Sequence, residues 1–272
     1  MISYLLIITS LCFGNTEFVP SKLDIGTSGI ISVQSSDLNN DNKDDIIYSS
    51  LEENSIIWFE NNGDLIFTKH VIETNINGST SIIPIDINND NNIDILATSM
   101  YNNTINLYRN TGNGEFEKNI IIKNANGPWT INTCDLDNNG LIDIISFNEF
   151  ENAIFWYAQT KNLNFDSIIL ISNIQNVWTI LCNDINNDKF LDLITKDENN
   201  RVSLYLNNGT NSFIETSILD TLNYNYFENN LDLDQDDDID IMPIVNSQKE
   251  IIYYENIGNN IFTSHDISFD QI

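Results

Sequence analysis

The feature that most constrains this chain is an internal period. Five segments open alike: Asp37-Leu-Asn-Asn-Asp, Asp86-Ile-Asn-Asn-Asp, Asp135-Leu-Asp-Asn-Asn, Asp184-Ile-Asn-Asn-Asp and Asp232-Leu-Asp-Gln-Asp. Their first residues stand 49, 49, 49 and 48 positions apart. An acidic composition scatters such segments; it does not set five of them on one period. Units of this size cannot bury both faces alone, so they stack on their neighbours.

The rest of the unit repeats too. An apolar run follows each acidic segment, as in Ile93-Asp-Ile-Leu-Ala. A run with paired large residues comes next: Trp58-Phe59, Leu107-Tyr108, Trp156-Tyr157, Leu204-Tyr205 and Tyr253-Tyr254. After an Asn/Gly turn, Phe67, Phe116, Phe165, Phe213 and Phe262 each open a last β-rich run. Every run has strand length and is rich in Ile, Val and aromatics. No helical period of 10–15 residues intervenes. Each unit therefore holds four strands, in the second unit near 79–86, 93–99, 104–110 and 115–122. Four antiparallel strands per 40–50 residues predict an all-β fold, a β-propeller of four-stranded blades. The paired aromatics then pack between blades. Five units fill about 30–268. Thr16-Glu-Phe-Val-Pro-Ser-Lys-Leu copies a final strand ahead of them, so the ring holds five blades, or six with one incomplete.

Charge excludes several functions. The 272 residues carry 40 acidic and 11 basic side chains, a formal charge of −29 and a pI near 4.1. Such a chain is unsuited to a nucleic-acid backbone or to an anionic membrane surface. Residues 1–14, MISYLLIITSLCFG, are apolar but too short to span a bilayer. They read as a secretory signal peptide, leaving 15–272 as one secreted domain. A buried N-terminal strand is the alternative. Cys134 stands one residue before Asp135, and Cys182 two before Asp184. Aligned strands would turn these side chains to opposite faces, so the expectation is two buried thiols rather than a disulfide.

The acidic segments follow D-x-[ND]-x-[DN]-x-x-x-D, with side-chain oxygens at positions 1, 3, 5 and 9. The sets are Asp37, Asn39, Asp41, Asp45; Asp86, Asn88, Asp90, Asp94; Asp135, Asp137, Asn139, Asp143; Asp184, Asn186, Asp188, Asp192; and Asp232, Asp234, Asp236, Asp240. Hard oxygen ligands in this number suit Ca²⁺ better than the smaller, water-rich Mg²⁺. Sixteen of the twenty are Asp, and gathering them without a cation is repulsive. Five Ca²⁺ would move the formal charge from −29 to −19. Position 6 needs a left-handed backbone, which suits Asn42, Asn91 and Gly140 and suits Lys189 poorly. The alternative is a set of solvated Asx-turns without metal.

These five loops, with Trp58-Phe-Glu-Asn-Asn-Gly and Phe67-Thr-Lys-His, resemble the FG-GAP/VCBS repeat family, which includes the calcium-binding blades of integrin α-subunits. The resemblance spans about 17–268. It implies a β-propeller with mainly structural Ca²⁺ in the loops between the first and second strands. It does not choose among adhesion, lectin activity and attachment to a secreted enzyme.

Catalytic signatures are missing. His70 and His265, the two histidines, occupy one repeat position, Phe-Thr-x-His. No nucleophile elbow, zinc motif, P-loop or dinucleotide fingerprint occurs. Glu52, Glu53, Glu149, Glu151 and Glu198 fall in the loop between the second and third strands and read as solvated charge. Six residues before each first Asp stand Ile31, Thr80, Trp129, Trp178 and Tyr226. Trp129, Trp178 and Tyr226 fit two readings: packing between blades, or a stacking surface for a sugar ring. The resulting expectation is a secreted, calcium-binding module, not an enzyme, that recognises a glycan or an extracellular protein. Self-assembly is compatible with it. The rival classes are a polysaccharide-active enzyme and a structural assembly module.

Overall fold

Strand-length apolar runs punctuated by Asn and Gly turns leave the backbone one economical solution, the hairpin. Among the described residues twenty strands form five four-stranded antiparallel sheets, each from one repeat and each in chain order. In the computed structural model, residues 28–268 are described, apart from 65, 200, 211, 220–223, 235, 237–238, 246–249 and 259–260. For 217–219, 224–231, 242–245, 250–253 and 266–268 the backbone alone is described. The expected leader at 1–14 and the expected extra strand copy at 16–23 lie outside these residues. In the second sheet the strands run Ile82–Ile85, Asp94–Ser99, Thr104–Asn110 and Phe116–Ile122, close to the sequence expectation.

Both faces of the second and third strands are apolar because both are covered. Leu107 joins a cluster with Ile144, Phe155 and Tyr157 of the third sheet. Its neighbour Tyr108 points the other way, into a cluster with Ile47, Ile56 and Trp58 of the first. Trp156 packs with Val177, Leu193 and Tyr205 of the fourth sheet. Leu204 packs with Ile241 and Tyr254 of the fifth. Sheets therefore stack face to face, and the paired aromatics are the inter-sheet core. The first strands of successive sheets touch in turn: Ile30–Ser36, Ile82–Ile85, Pro128–Cys134, Val177–Asn183 and Tyr224–Leu231. A further cluster, Tyr48, Ile57 and Phe59, lies on the remaining face of the first sheet, each residue almost fully buried.

The cysteine expectation is corrected. Cys134 and Cys182 form a disulfide, their Cα atoms 6.4 Å apart, between the first strands of the third and fourth sheets. Cys134 pairs with Asp143 across its sheet, whereas Asn183, not Cys182, holds the matching place beside Asp192. The one-residue offset does reverse the side chain within the repeat. In face-to-face sheets that reversal is what a bridge requires, because the facing surfaces are opposite faces of the unit.

Candidate functional site

Antiparallel order sends every acidic loop, and every turn between third and fourth strands, to one end of the sheets. The loops between second and third strands and the connectors between repeats gather at the other end.

At the acidic end the loops are built by carboxylates accepting from backbone N–H groups. Asp37 Oδ1 accepts from Asp41 N at 3.0 Å and Oδ2 from Asn42 N at 2.7 Å. Asp86, Asp135 and Asp184 repeat both bonds. Position 5 turns one oxygen back to the N–H of position 7, as in Asn92 N to Asp90 Oδ1 at 2.9 Å. In each of the first four loops two residues are left-handed. Position 6 is one, as expected: Asn42, Asn91, Gly140 and also Lys189, at φ 75°. Lys189 thus adopts the loop geometry despite its side chain, and its N–H reaches Asp184 Oδ2 at 2.8 Å. Position 4 is the other, always Asn among the described residues: Asn40, Asn89, Asn138 and Asn187. A short amide tolerates this region, and the recurrence of Asn every 49 residues was the available signal.

Position 9 is the buried keystone. Asp45, Asp94, Asp143, Asp192 and Asp240 are each at most 1% exposed. One oxygen accepts from the third-strand N–H of Asn61, Asn110, Gln159, Asn207 or Asn256, at 2.6–2.9 Å. In four loops the other accepts from the position-2 N–H, as in Leu136 N to Asp143 Oδ2 at 3.0 Å. Asp94 Oδ2 is buried without a hydrogen-bond partner among the described residues. Burial pushes the carboxyls of Asp94 and Asp192 up to about 6, with the other loop aspartates adding repulsion and backbone N–H groups opposing. Asp45 and Asp143 shift upward for the same first cause.

Carboxylates converge on common points. Oxygens of Asp135, Asp137 and Asp143 lie within 4.8 Å of one another, as do those of Asp232, Asp234 and Asp240. These are positions 1, 3 and 9 of the expected sets. The first, second and fourth loops place Asn39, Asn88 and Asn186 at position 3. Position 5 is occupied locally, and in the first loop Asp41 Oδ2 also pairs with Lys43 Nζ at 2.8 Å. Hard anionic oxygens, a buried oxygen with no donor among the described residues, and carboxyls raised first by burial and further by neighbouring aspartates fit a divalent cation.

The opposite end carries the aromatics. Trp129 and Trp178 lie 6.3 Å apart between ring centroids, tilted at 58°. Trp129 is half-buried against the inter-sheet cluster, whereas Trp178 is 59% exposed. Asn132 Nδ2 donates to Ile180 O at 2.7 Å on the same strand pair, which the disulfide also joins. The backbone of Tyr226 pairs with Ile244; its side chain lies outside the described residues. Two exposed aromatics in the second-to-third loops, Tyr101 and Phe150, escaped the sequence reading, which registered only glutamates there. Their equivalence at 49-residue spacing was the signal. His70 pairs with Glu60 at 2.8 Å and stacks on Trp58, and His265 pairs with Glu255 in the same repeat position. Among the described residues no helix is long and apolar enough to cross a membrane.

A family model described as the FG-GAP-like repeat matches residues 37–97, 86–146 and 135–195. No curated protein matches the sequence. Among solved structures, the chain is similar to the V. cholerae biofilm matrix protein Bap1, at 17% identity and a TM-score of 0.53. The match covers 88% of this chain and 39% of that one, so the chain spans well under half of Bap1. The likeness is one of fold.

Proposed function

The chain belongs to the FG-GAP-like repeat family, and from that premise we propose a secreted β-propeller, held by Ca²⁺ at one end, that binds glycans at the other. The stacking of five sheets through their first strands supports the propeller. So does the burial of Tyr48, Ile57 and Phe59, since the terminal face of an open stack would be wet.

Positions 1, 3, 5 and 9 of the five loops would hold the cations, with Asp45, Asp94, Asp143, Asp192 and Asp240 as the buried ligands. The bound ion supplies positive charge to a crowd of carboxylates, a structural task rather than a catalytic one. The loop residues hold their places through backbone N–H bonds to the first aspartate of each loop. Secretion is supported by the apolar leader and by the Cys134–Cys182 disulfide, a bond typical of oxidising compartments. Placement outside the cell also agrees with Bap1 being a biofilm matrix protein.

The observation that carries the binding role is Trp178. A tryptophan 59% exposed, braced by Trp129 at 6.3 Å, contributes little to the core and offers a flat apolar face. Sugar rings present matching apolar patches, and nearby amides match their hydroxyls. The module acts as a binder without turnover of its own. The test is a glycan array with purified protein in Ca²⁺, after chelation, and with Trp178→Ala. The expected result is a defined glycan set, weakened by chelation and lost in the folded variant. A blank array with folded, calcium-loaded protein would move the role to protein adhesion or assembly.

A further inference from the structure

The loops between second and third strands repeat their backbone but not their side chains. In three repeats a left-handed connector glycine lies beneath one loop side chain: Gly29 under Glu52, Gly78 under Tyr101 and Gly127 under Phe150. A Cβ on Gly78 or Gly127 would come within 2.7 Å of the ring above it, so only glycine lets these rings rest on the connector. The loop backbone is pinned there as well. Met100 N donates to Gly78 O at 2.9 Å and Tyr101 N to Asn77 O at 3.3 Å. Glu149 N donates to Gly127 O at 2.8 Å and Phe150 N to Asn126 O at 3.3 Å. Yet Tyr101 and Phe150 are 55% and 54% exposed. Rings so firmly seated and so open present a surface.

Beside Tyr101 the same end opens into a polar cavity of about 260 Å³, lined by Glu53, Asn54, Thr74, Asn75 and Asn77. Side-chain bonding here departs from the next repeat. Asn126, the counterpart of Asn77, donates its amide to Glu151 at 3.2 Å. Asn102 stands at the place of Glu151 and donates instead to Ser99 Oγ at 3.0 Å. Among the described residues the Asn77 side chain makes no hydrogen bond, and its amide lines the cavity free to donate and accept. Amides and a hydroxyl beside an exposed ring match the alternating hydroxyls and apolar faces of a sugar. Glu52, Glu53, Glu149, Glu151 and Glu198 stand in the loops at this end, against Lys123 on a connector and Lys196 and Arg201 beside the fourth loop, so the net charge is negative and a uronate or sulfated chain would be repelled.

We propose that this end carries an extended site for a neutral polysaccharide, with the Asn77 cavity as a hydrogen-bonding subsite and Tyr101 and Phe150 as stacking platforms. The proposal rests on the glycan reading above and extends it from the Trp129–Trp178 pair to chain-length recognition across repeats. Binding should therefore grow with the number of sugars, because separate platforms engage successive units of one chain.

Calorimetric titration with neutral β-glucan, mannan and galactan ladders, from disaccharide to octasaccharide, tests this, with polygalacturonate as the anionic comparison. The proteins are the full chain, Tyr101→Ala/Phe150→Ala, Asn77→Asp and Trp178→Ala. For at least one neutral ladder, affinity should rise with length. The double variant should lose about tenfold or more on the octasaccharide and nothing on the disaccharide. Asn77→Asp, a surface change that preserves the fold, should also weaken the octasaccharide. Trp178→Ala should weaken every length. Octasaccharide binding unchanged in both the double variant and Asn77→Asp would overturn the extended site while leaving the tryptophan reading intact. Preference for polygalacturonate would overturn neutrality, and no binding by any ladder would overturn both readings.

Discussion

One repeat builds both ends of this molecule, and the two ends obey it differently. At the acidic end side chain and backbone recur together: Asp at positions 1 and 9 in all five loops, the same N–H bond from position 5 to position 1, and in the first four loops the same left-handed residues. At the opposite end the backbone recurs and the side chains change, from Glu52 to Tyr101 to Phe150 above the connector glycines. A task every sheet must perform fixes the side chain in every repeat. A task performed once, on a partner, needs only a fixed scaffold and lets each repeat present something different. On the proposed function the acidic end is the structural one and the aromatic end the selective one, and perturbations should separate them.

Removing the cations should have the largest effect. Each site saturated at 100 times its Kd contributes about 2.7 kcal/mol to the folded state. Chelation of several sites should then lower the melting temperature by at least about 10 °C, given roughly 2–4 °C per kcal/mol at this size. Calorimetric scans in Ca²⁺ and in chelator measure this. Identical scans would mean that the Asx-turns stand without metal.

Next comes the seam between the third and fourth sheets. The Cys134–Cys182 bridge closes a loop of 48 residues, worth about 4 kcal/mol in the chain-entropy picture. The double Cys→Ser variant should melt about 10 °C lower in Ca²⁺, while its cation affinity stays unchanged. A loss of cation binding would show that the two ends are not independent.

Much of this was legible in the sequence because periodicity reports what repeats. The strands, the acidic loops and the inter-sheet role of Leu107-Tyr108 and its counterparts followed from spacing and alternation. The disulfide did not, because its geometry depends on how two repeats face one another, which a within-repeat comparison reverses. Nor did Tyr101 and Phe150, because the period draws attention to identities and these positions carry differences. Lys189 misled for a third reason: its propensity opposes the left-handed backbone, but two bonds to Asp184 hold the turn.

Acidity should act in opposite senses on the bare and the loaded protein. In chelator, Asp94 and Asp192 carry folded-state values near 6 against about 4 when unfolded. A raised carboxyl binds its proton more tightly when folded, so its stabilising contribution is present below about pH 4 and lost as pH rises through about 6. The difference is at most about 3 kcal/mol for each group. With Ca²⁺ the carboxylates must be ionised, so cation affinity should fall as pH drops through the same window. Melting curves from pH 4 to 7, with and without Ca²⁺, should converge at the acid end and diverge at the neutral end. Parallel curves would detach these carboxylates from the metal.

The smallest stability effect belongs to the residue with the largest expected effect on binding. Trp178 is 59% exposed, so Trp178→Ala should change stability by no more than about 0.5 kcal/mol. Trp129 packs against the inter-sheet cluster, and Trp129→Ala should cost several times as much. Urea titrations of the two variants separate the roles within one aromatic pair. If the rings were joint packing residues, the two costs would be similar. A large cost at Trp129 with almost none at Trp178 leaves the exposed ring without a structural task, and the array then asks whether glycan binding falls with it. A Trp178→Ala protein that is as unstable as Trp129→Ala would make the aromatic end structural too, and the contrast between the two ends would fail at its most exposed residue.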